Sequence, residues 1–183
     1  MERTDAIRSA YRLTGSNSFY DGMITCSTLP GKIVCRLVWA MNKADCDGYQ
    51  SKAFSGIPED FSGRLLELPV GTGVLPFPDG SFDLVLSLNG FHAFPDKEAA
   101  YRETFRVLKP DGTFCGCFYV QGEHPRTDRL IRRVYQPMHF FTPPYETVTS
   151  LTDRLKAMYA QVEAGSVKSI AWFVCRKAEK EDL

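Results

Sequence analysis

The stretch LELPVGTGVLPFPDG, Leu66 to Gly80, constrains this chain more than any other. It joins two apolar runs, GRLLELPV (Gly63 to Val70) and SFDLVLSL (Ser81 to Leu88). Apolar runs of that length, bounded by turn residues, suit strands covered on both faces of a sheet. Parallel neighbours of that kind need a crossover of a dozen or more residues, usually built around a helix. Here only the eleven residues Gly71 to Ser81 are available, and Pro76 and Pro78 keep them from forming a regular helix. At ~3.3–3.6 Å per residue such a connector still reaches back along a ~20 Å strand. The join is therefore expected to be a loop, which leaves the first strand at an edge and strips one sheet face of its usual cover.

The next elements are more regular. Asp96 is the expected N-cap of a helix over KEAAYRETFRVL, with Glu98 and Glu103 toward its positive end, Lys109 at the other and Pro110-Asp111-Gly112 as the stop. TFCGCFYV (Thr113 to Val120) reads as the third buried strand, so that strand, helix and strand form a parallel unit. Upstream, KIVCRLVWAM (Lys32 to Met41) has helical spacing at Ile33, Leu37 and Ala40, with Val34 and Val38 widening the apolar face, and a looser run follows to Phe61. Downstream, RTDRLIRRVY reads as helix, FTPPYE as a break, and SLTDRLKAMYAQV as a helix from near Ser150. A turn at Ala164-Gly165-Ser166 then precedes a last strand in SIAWFVCRK. The order predicts an α/β fold: an N-terminal helical cap over 1–62 and an α/β domain over 63–183 that form one structural unit.

Charge and composition narrow the partners. Among 183 residues, 22 basic side chains balance 22 acidic ones, so no global field favours nucleic acid or an anionic membrane. No run approaches the ~18 apolar residues of a membrane span, and the polar start MERTDAIRSAYR lacks a signal-peptide core. A cytoplasmic protein with a small-molecule substrate is expected. Cys26, Cys35, Cys46, Cys115, Cys117 and Cys175 contain no C-x-x-C and read as core thiols, with no metal site expected.

Gly71-Thr72-Gly73, directly after a buried strand, sits where open α/β sheets bring backbone close to a nucleotide. With LLELPVGTGVL, LPFPDGSFDLVLSLNGFHAF and EAAYRETFRVLKPDGTF taken together, the chain closely resembles the class I S-adenosylmethionine-dependent methyltransferases over Gly63 to Val120. That resemblance implies a Rossmann-like, mostly parallel sheet with flanking helices and an antiparallel last strand. It also implies that Glu67, Gly71, Thr72 and Gly73 pass under the methionine part of S-adenosylmethionine, and that Ser87, Leu88 and Asn89 lie beside the transferred methyl group. Pro69 stands where the family more often has a glycine. His92 is the candidate proton acceptor or substrate contact, against the alternative of a capped side chain before Pro95. Tyr20, with Asp21, lies in the segment expected to fold over the cofactor as a lid or to anchor the cap. Arg126, Arg129, Arg132 and Arg133 share a helical side and read as solvated surface, while Met138, Phe140, Phe141 and Tyr145 would line a substrate pocket or plug it.

The resemblance also sharpens the problem of the join. Between the first glycine motif and the next strand the family inserts a helix, a strand ending in an acidic residue for the ribose hydroxyls, another helix and a third strand. None is present between Gly73 and Ser81. Three explanations stand: a segment missing from this chain, an internal deletion, or an assembly that restores the edge through a second chain. The expectation is a methyltransferase whose activity is impaired, set against a non-catalytic remnant that associates with itself or a partner through its exposed sheet edge.

Overall fold

The computed structural model describes residues 22, 25–68 and 73–178. Leu65–Glu67 (β1), Phe82–Leu88 (β2), Leu108–Tyr119 (β3), Gln161–Val167 (β4) and Ile170–Arg176 (β5) form one sheet in the order β1-β2-β3-β5-β4. The first three run parallel, with Leu66 opposite Val85 and Leu86 opposite Cys115. β5 is antiparallel to both β3 and β4. The expected α/β sheet, mostly parallel at one end and antiparallel at the other, is present with five strands and with β1 at its edge.

The connector between β1 and β2 is a loop, as its prolines require. No helix or strand occurs among its described residues, 73–81. Several of its backbone polar groups are met from the helix Lys97–Val107 (α3). Arg106 donates to the carbonyls of Phe77 (2.8 Å) and Leu75 (3.1 Å) and to the carboxylate of Asp79 (2.7 Å). Glu103 grips the same guanidinium through both oxygens and accepts from the Leu75 N–H at 2.8 Å. Gly80, at φ 61°, turns the chain into β2 and donates to the Arg106 carbonyl at 3.0 Å. Inside this clamp Leu75 is buried, and Phe77 meets Phe82 edge-on at 4.9 Å.

Each sheet face carries its own layer. After β3 comes the short helix Pro125–Leu130 (α4), and on one face of the sheet α3 and Val148–Met158 (α5) bury Ala100, Tyr101, Val107, Leu151 and Leu155 against Val85, Phe114, Phe118 and Phe173. Phe91, in the short 3-10 turn Phe91–Ala93, is fully buried there, with ring centroids 4.3–5.7 Å from Phe94, Tyr101, Phe114 and Phe118. Arg154 ties the two helices by pairing with Glu98 at 2.6 Å and Glu146 at 2.9 Å. Asp96 caps α3 as expected, accepting from the Ala99 N–H at 2.8 Å. The Lys177 ammonium caps its other end, donating to the carbonyls of Phe105 and Leu108.

The opposite face corrects the expectation of a bare surface. Leu29–Val34 (α1), a π-helical segment Cys35–Trp39 and Lys43–Phe54 (α2) lie over it. Cys46, Tyr49 and Ala53 of α2 share a core with Cys117, Tyr119 and Ile170 of the sheet. Ile57 and Phe61, just beyond α2, pack on Leu84, Leu86 and Cys115. The cap is thus the second layer of the fold. α2 falls in the run read as loose, yet it has a reciprocal cap in which Asn42 and Asp45 each accept from the other's backbone N–H.

Two further elements differ from the sequence reading. Upstream of α2, the helix starts at Leu29 and turns Gly31, Cys35 and Val38 inward, leaving Ile33 and Leu37 half exposed at 51% and 52%. The spacing was helical, but the apolar stripe is not the buried face. Near the C-terminus, Ala164, Gly165 and Ser166 lie inside β4, and the hairpin turns at Lys168 and Ser169 instead. Gly165 serves contact there, since a Cβ would sit 2.9 Å from the Trp172 ring. Within β2 the pairing shifts between Phe82 and Leu84, so Phe82 joins the same core as Val85 despite their odd spacing.

Phe91→Ala should lower unfolding stability by ~3–5 kcal/mol, because the surrounding rings cannot collapse into the space left. Urea denaturation checks this, and a loss under ~1 kcal/mol would mean the aromatic cluster is looser than described. A second outcome concerns acid. The Arg106 guanidinium holds the Glu103 carboxyl down at about 2, below its ordinary value, so its stabilising share is complete above that ordinary value and is lost as pH falls toward 2. Glu103→Gln should flatten the stability–pH profile across that acid window, and an unchanged slope would contradict the clamp.

Candidate functional site

The C-terminal ends of β1 and β2 meet beside the connector. Ladder pairing puts Glu67 opposite Leu86, and the Leu68 N–H continues it by donating to the Leu86 carbonyl at 2.9 Å. Ser87 is fully buried at the end of β2, and its Oγ has no hydrogen-bond partner among the described residues. A Cβ added at Gly90 would lie 2.9 Å from that Oγ and 3.8 Å from the Leu68 carbonyl oxygen. Leu68, Ser87 and Gly90 therefore converge on one spot that only a glycine at position 90 keeps clear. Ser87 is fixed from behind as well, since a side chain at Gly116 of β3 would strike its carbonyl oxygen at 2.1 Å.

Asn89 turns the chain out of β2 in the left-handed region, at φ 54°, which asparagine tolerates better than most residues. Its N–H donates to the Cys117 carbonyl at 2.7 Å, leaving the side chain half-buried next to Leu88. Glu67 and Gly73 are exposed on either side of residues 69–72. Gly71, Thr72 and Tyr20 lie outside the described residues. The structure thus gathers Glu67, Ser87, Leu88 and Asn89 at the ends of adjacent strands.

His92 is placed differently from a side chain open to substrate. It is buried, its Nδ1 accepts from the Tyr119 N–H at 3.3 Å, and its ring stacks on Phe141 at 4.1 Å and 11°. That bond fixes the neutral tautomer with its proton on Nε2. Burial first, and then the Lys97 ammonium, push its pKa down to about 3. Phe141 also meets Trp39, Tyr119 and Tyr135, while Met138 is exposed, so the aromatic segment plugs the ends of β2 and β3 rather than lining an open pocket. The Tyr119 hydroxyl donates to Asp128 at 2.8 Å, and Asp128 also accepts from the Gly122 N–H at 2.9 Å. Sequence pattern had flagged neither Tyr119 nor Asp128, and only their shared burial links them. Arg129, Arg132 and Arg133 are exposed and line, with Pro125 and Asp128, a shallow cleft of about 380 Å³.

A class I cofactor would find only part of its site in these residues. The unpartnered Ser87 Oγ and the clearance at Gly90 fit the methionine end. Nothing beyond β1 fits the adenosine end: β1 is the edge, so among the described residues no neighbouring strand offers an acidic side chain to the ribose.

The family model for the methyltransferase domain matches residues 59–116, the span holding β1, the connector, β2, α3 and most of β3. Over residues 59–116 the chain is similar to methyltransferase-domain sequences. Over 68 residues the chain is 40% identical to the uncharacterized methyltransferase YcgJ of Bacillus subtilis, covering 36% of this chain and 27% of that protein. It is 33% identical over 82 residues to the ubiquinone/menaquinone biosynthesis C-methyltransferase UbiE of a Shewanella species (strain ANA-3), covering 45% of this chain and 31% of that one. The chain therefore spans about a third or less of the length of these relatives. Among solved structures, a Thermotoga maritima S-adenosylmethionine-dependent methyltransferase, described as a possible histamine N-methyltransferase, superposes with a TM-score of 0.54 at 14% identity. That match covers 84% of this chain and 98% of the other, and it bears out the Rossmann-like fold.

For His92 the sign is set by its lowered pKa. The ring is neutral when folded, so stability is complete above its ordinary value of 6.5 and declines as pH falls from there toward 3. By NMR the His92 ring should not titrate from about pH 8 down to about pH 5. A midpoint near 6.5 would contradict the buried placement.

Proposed function

We propose that this chain is an S-adenosylmethionine-dependent methyltransferase that acts on a small molecule and holds its cofactor mainly through the methionine end. The observation that carries this reading is the convergence of Leu68, the unpartnered Ser87 Oγ and Gly90 at the ends of β1 and β2, inside the span that matches the methyltransferase domain. Glu67 and the turn Gly71-Thr72-Gly73 would hold the amino-acid part of the cofactor, and Ser87, Leu88 and Asn89 would border the reacting methyl. Tyr20 would close over it.

When bound, the cofactor supplies an activated methyl on a sulfonium. The chain's own task is to hold an acceptor in line at ~3–3.5 Å and to keep water out. A base is needed only for an acceptor that must lose a proton. His92, neutral and stacked on Phe141, would act in this reading by positioning the strand ends. Six buried cysteines, none in a disulfide, support a reducing compartment such as the cytoplasm, and no described helix is long and apolar enough to cross a membrane.

The open β1 edge favours one alternative. With Leu65 42% exposed and Glu67 exposed, the edge offers unpaired backbone to a second copy or a partner, as a non-catalytic remnant would use it. Calorimetric titration with S-adenosylhomocysteine, with a melting curve alongside, separates the two. Saturable binding and a raised melting temperature are expected, with weaker affinity than a site furnished at both ends would give. No heat, no thermal shift and a stable oligomer by sedimentation would replace the enzyme reading with the remnant.

A further inference from the structure

Cys26, Cys35 and Cys46 come from three separate pieces of the N-terminal layer: the turn before α1, the first residue of the π-helical segment and the interior of α2. Their sequence spacing announces nothing. In the fold, their three Sγ atoms lie within 4.8 Å of one another, and those of Cys35 and Cys46 are 3.9 Å apart. All three residues are buried, with 1–2% of their surface exposed. The sheet cysteines, Cys115, Cys117 and Cys175, form no such group. Three sulfurs around one cation at ~2.3 Å lie ~3.8–4.0 Å apart, which the Cys35–Cys46 pair already meets at 3.9 Å.

We propose that Cys26, Cys35 and Cys46 form a three-thiolate site for a single thiophilic d10 cation, Zn(II) or Cu(I). The donor set decides the class. Among the described residues no carboxylate or imidazole joins the three sulfurs, which selects soft cations and leaves Mg(II) and Ca(II) without oxygen ligands. Binding breaks three S–H bonds and forms three metal–sulfur bonds, with the protons passing to solvent. Cys26 is held at φ 52°, an uncommon conformation for a side chain without an amide, so its position is over-determined by its surroundings. A bound cation would pin the turn, the π-helical segment and α2 together, and with them the layer that covers the second face of the sheet. The three sulfurs belong to the N-terminal layer, against whose core Leu88 packs, and none of them is among the residues that would hold the methyl donor, so the site stands whether or not the chain transfers methyl groups.

The test is an anaerobic titration of the reduced, full chain with Zn(II) and, separately, with Cu(I), each against a competing chelator, followed by X-ray absorption at the metal edge. One ion per chain with three sulfurs at ~2.3 Å is expected for at least one of the two, and the tighter arm identifies the ion. Cys35→Ser should weaken that binding at least 100-fold, while Cys115→Ser should leave it unchanged. Fewer than three sulfurs around the ion in the unmodified chain would overturn the proposal without reference to any variant. So would the absence of one-to-one binding by both ions, or equal affinity in Cys35→Ser.

Discussion

One guanidinium makes the join between the first two strands possible. A crossover without a helix leaves its own carbonyls and N–H groups unmatched, and buried groups of that kind are costly. Arg106 answers two of the carbonyls and the Asp79 carboxylate, while Glu103 answers the Leu75 N–H and fixes the guanidinium in turn. With the connector tied to α3, β1 is delivered in register beside β2, Leu66 against Val85. Everything at the candidate site depends on that register, because a slip of one residue would turn the wrong face of β1 toward Ser87 and Gly90.

The N-terminal segment meets a second requirement of the sheet. A sheet with apolar residues on both faces needs two layers. α3 and α5 provide one, and the stretch from Cys26 to Phe61 provides the other, with Tyr49 and Ala53 over β3 and β5 and with Ile57 and Phe61 over β2. The edge itself stays open, but it is only three residues long, which limits what it can template.

Much of this was legible in the sequence. Local signals that coincide were read correctly: Asp96 as a cap, the continuous apolar run of β2, the prolines that forbid a helix in the connector and the edge position of β1 that follows. The resemblance to methyltransferases rested on the same segment. Signals that depend on tertiary partners were not legible. α2 is polar on most of its surface and buries only Cys46, Tyr49 and Ala53, so its pattern looked like a loop. Gly165 looked like a turn residue, whereas it makes room for Trp172 across a hairpin. His92 reads from sequence either as a proton acceptor or substrate contact or as a capped side chain before Pro95, and the Tyr119 N–H and the Phe141 ring that enclose it come from later in the chain. The three cysteines of the N-terminal layer are far apart in sequence and meet only once α1 and α2 have packed.

The central claim is that β1 pairs directly with β2 as far as Leu68, which sets the strand ends where the proposed methionine end of a cofactor site would lie, while among the described residues nothing furnishes an adenosine end. The most direct measurement is hydrogen exchange at the Leu68 amide, whose 2.9 Å bond to the Leu86 carbonyl is the last rung of that pairing among the described residues. Protection approaching that of the β2 and β3 amides is the predicted result. Exchange at the rate of an unfolded chain would contradict the pairing and the site built on it.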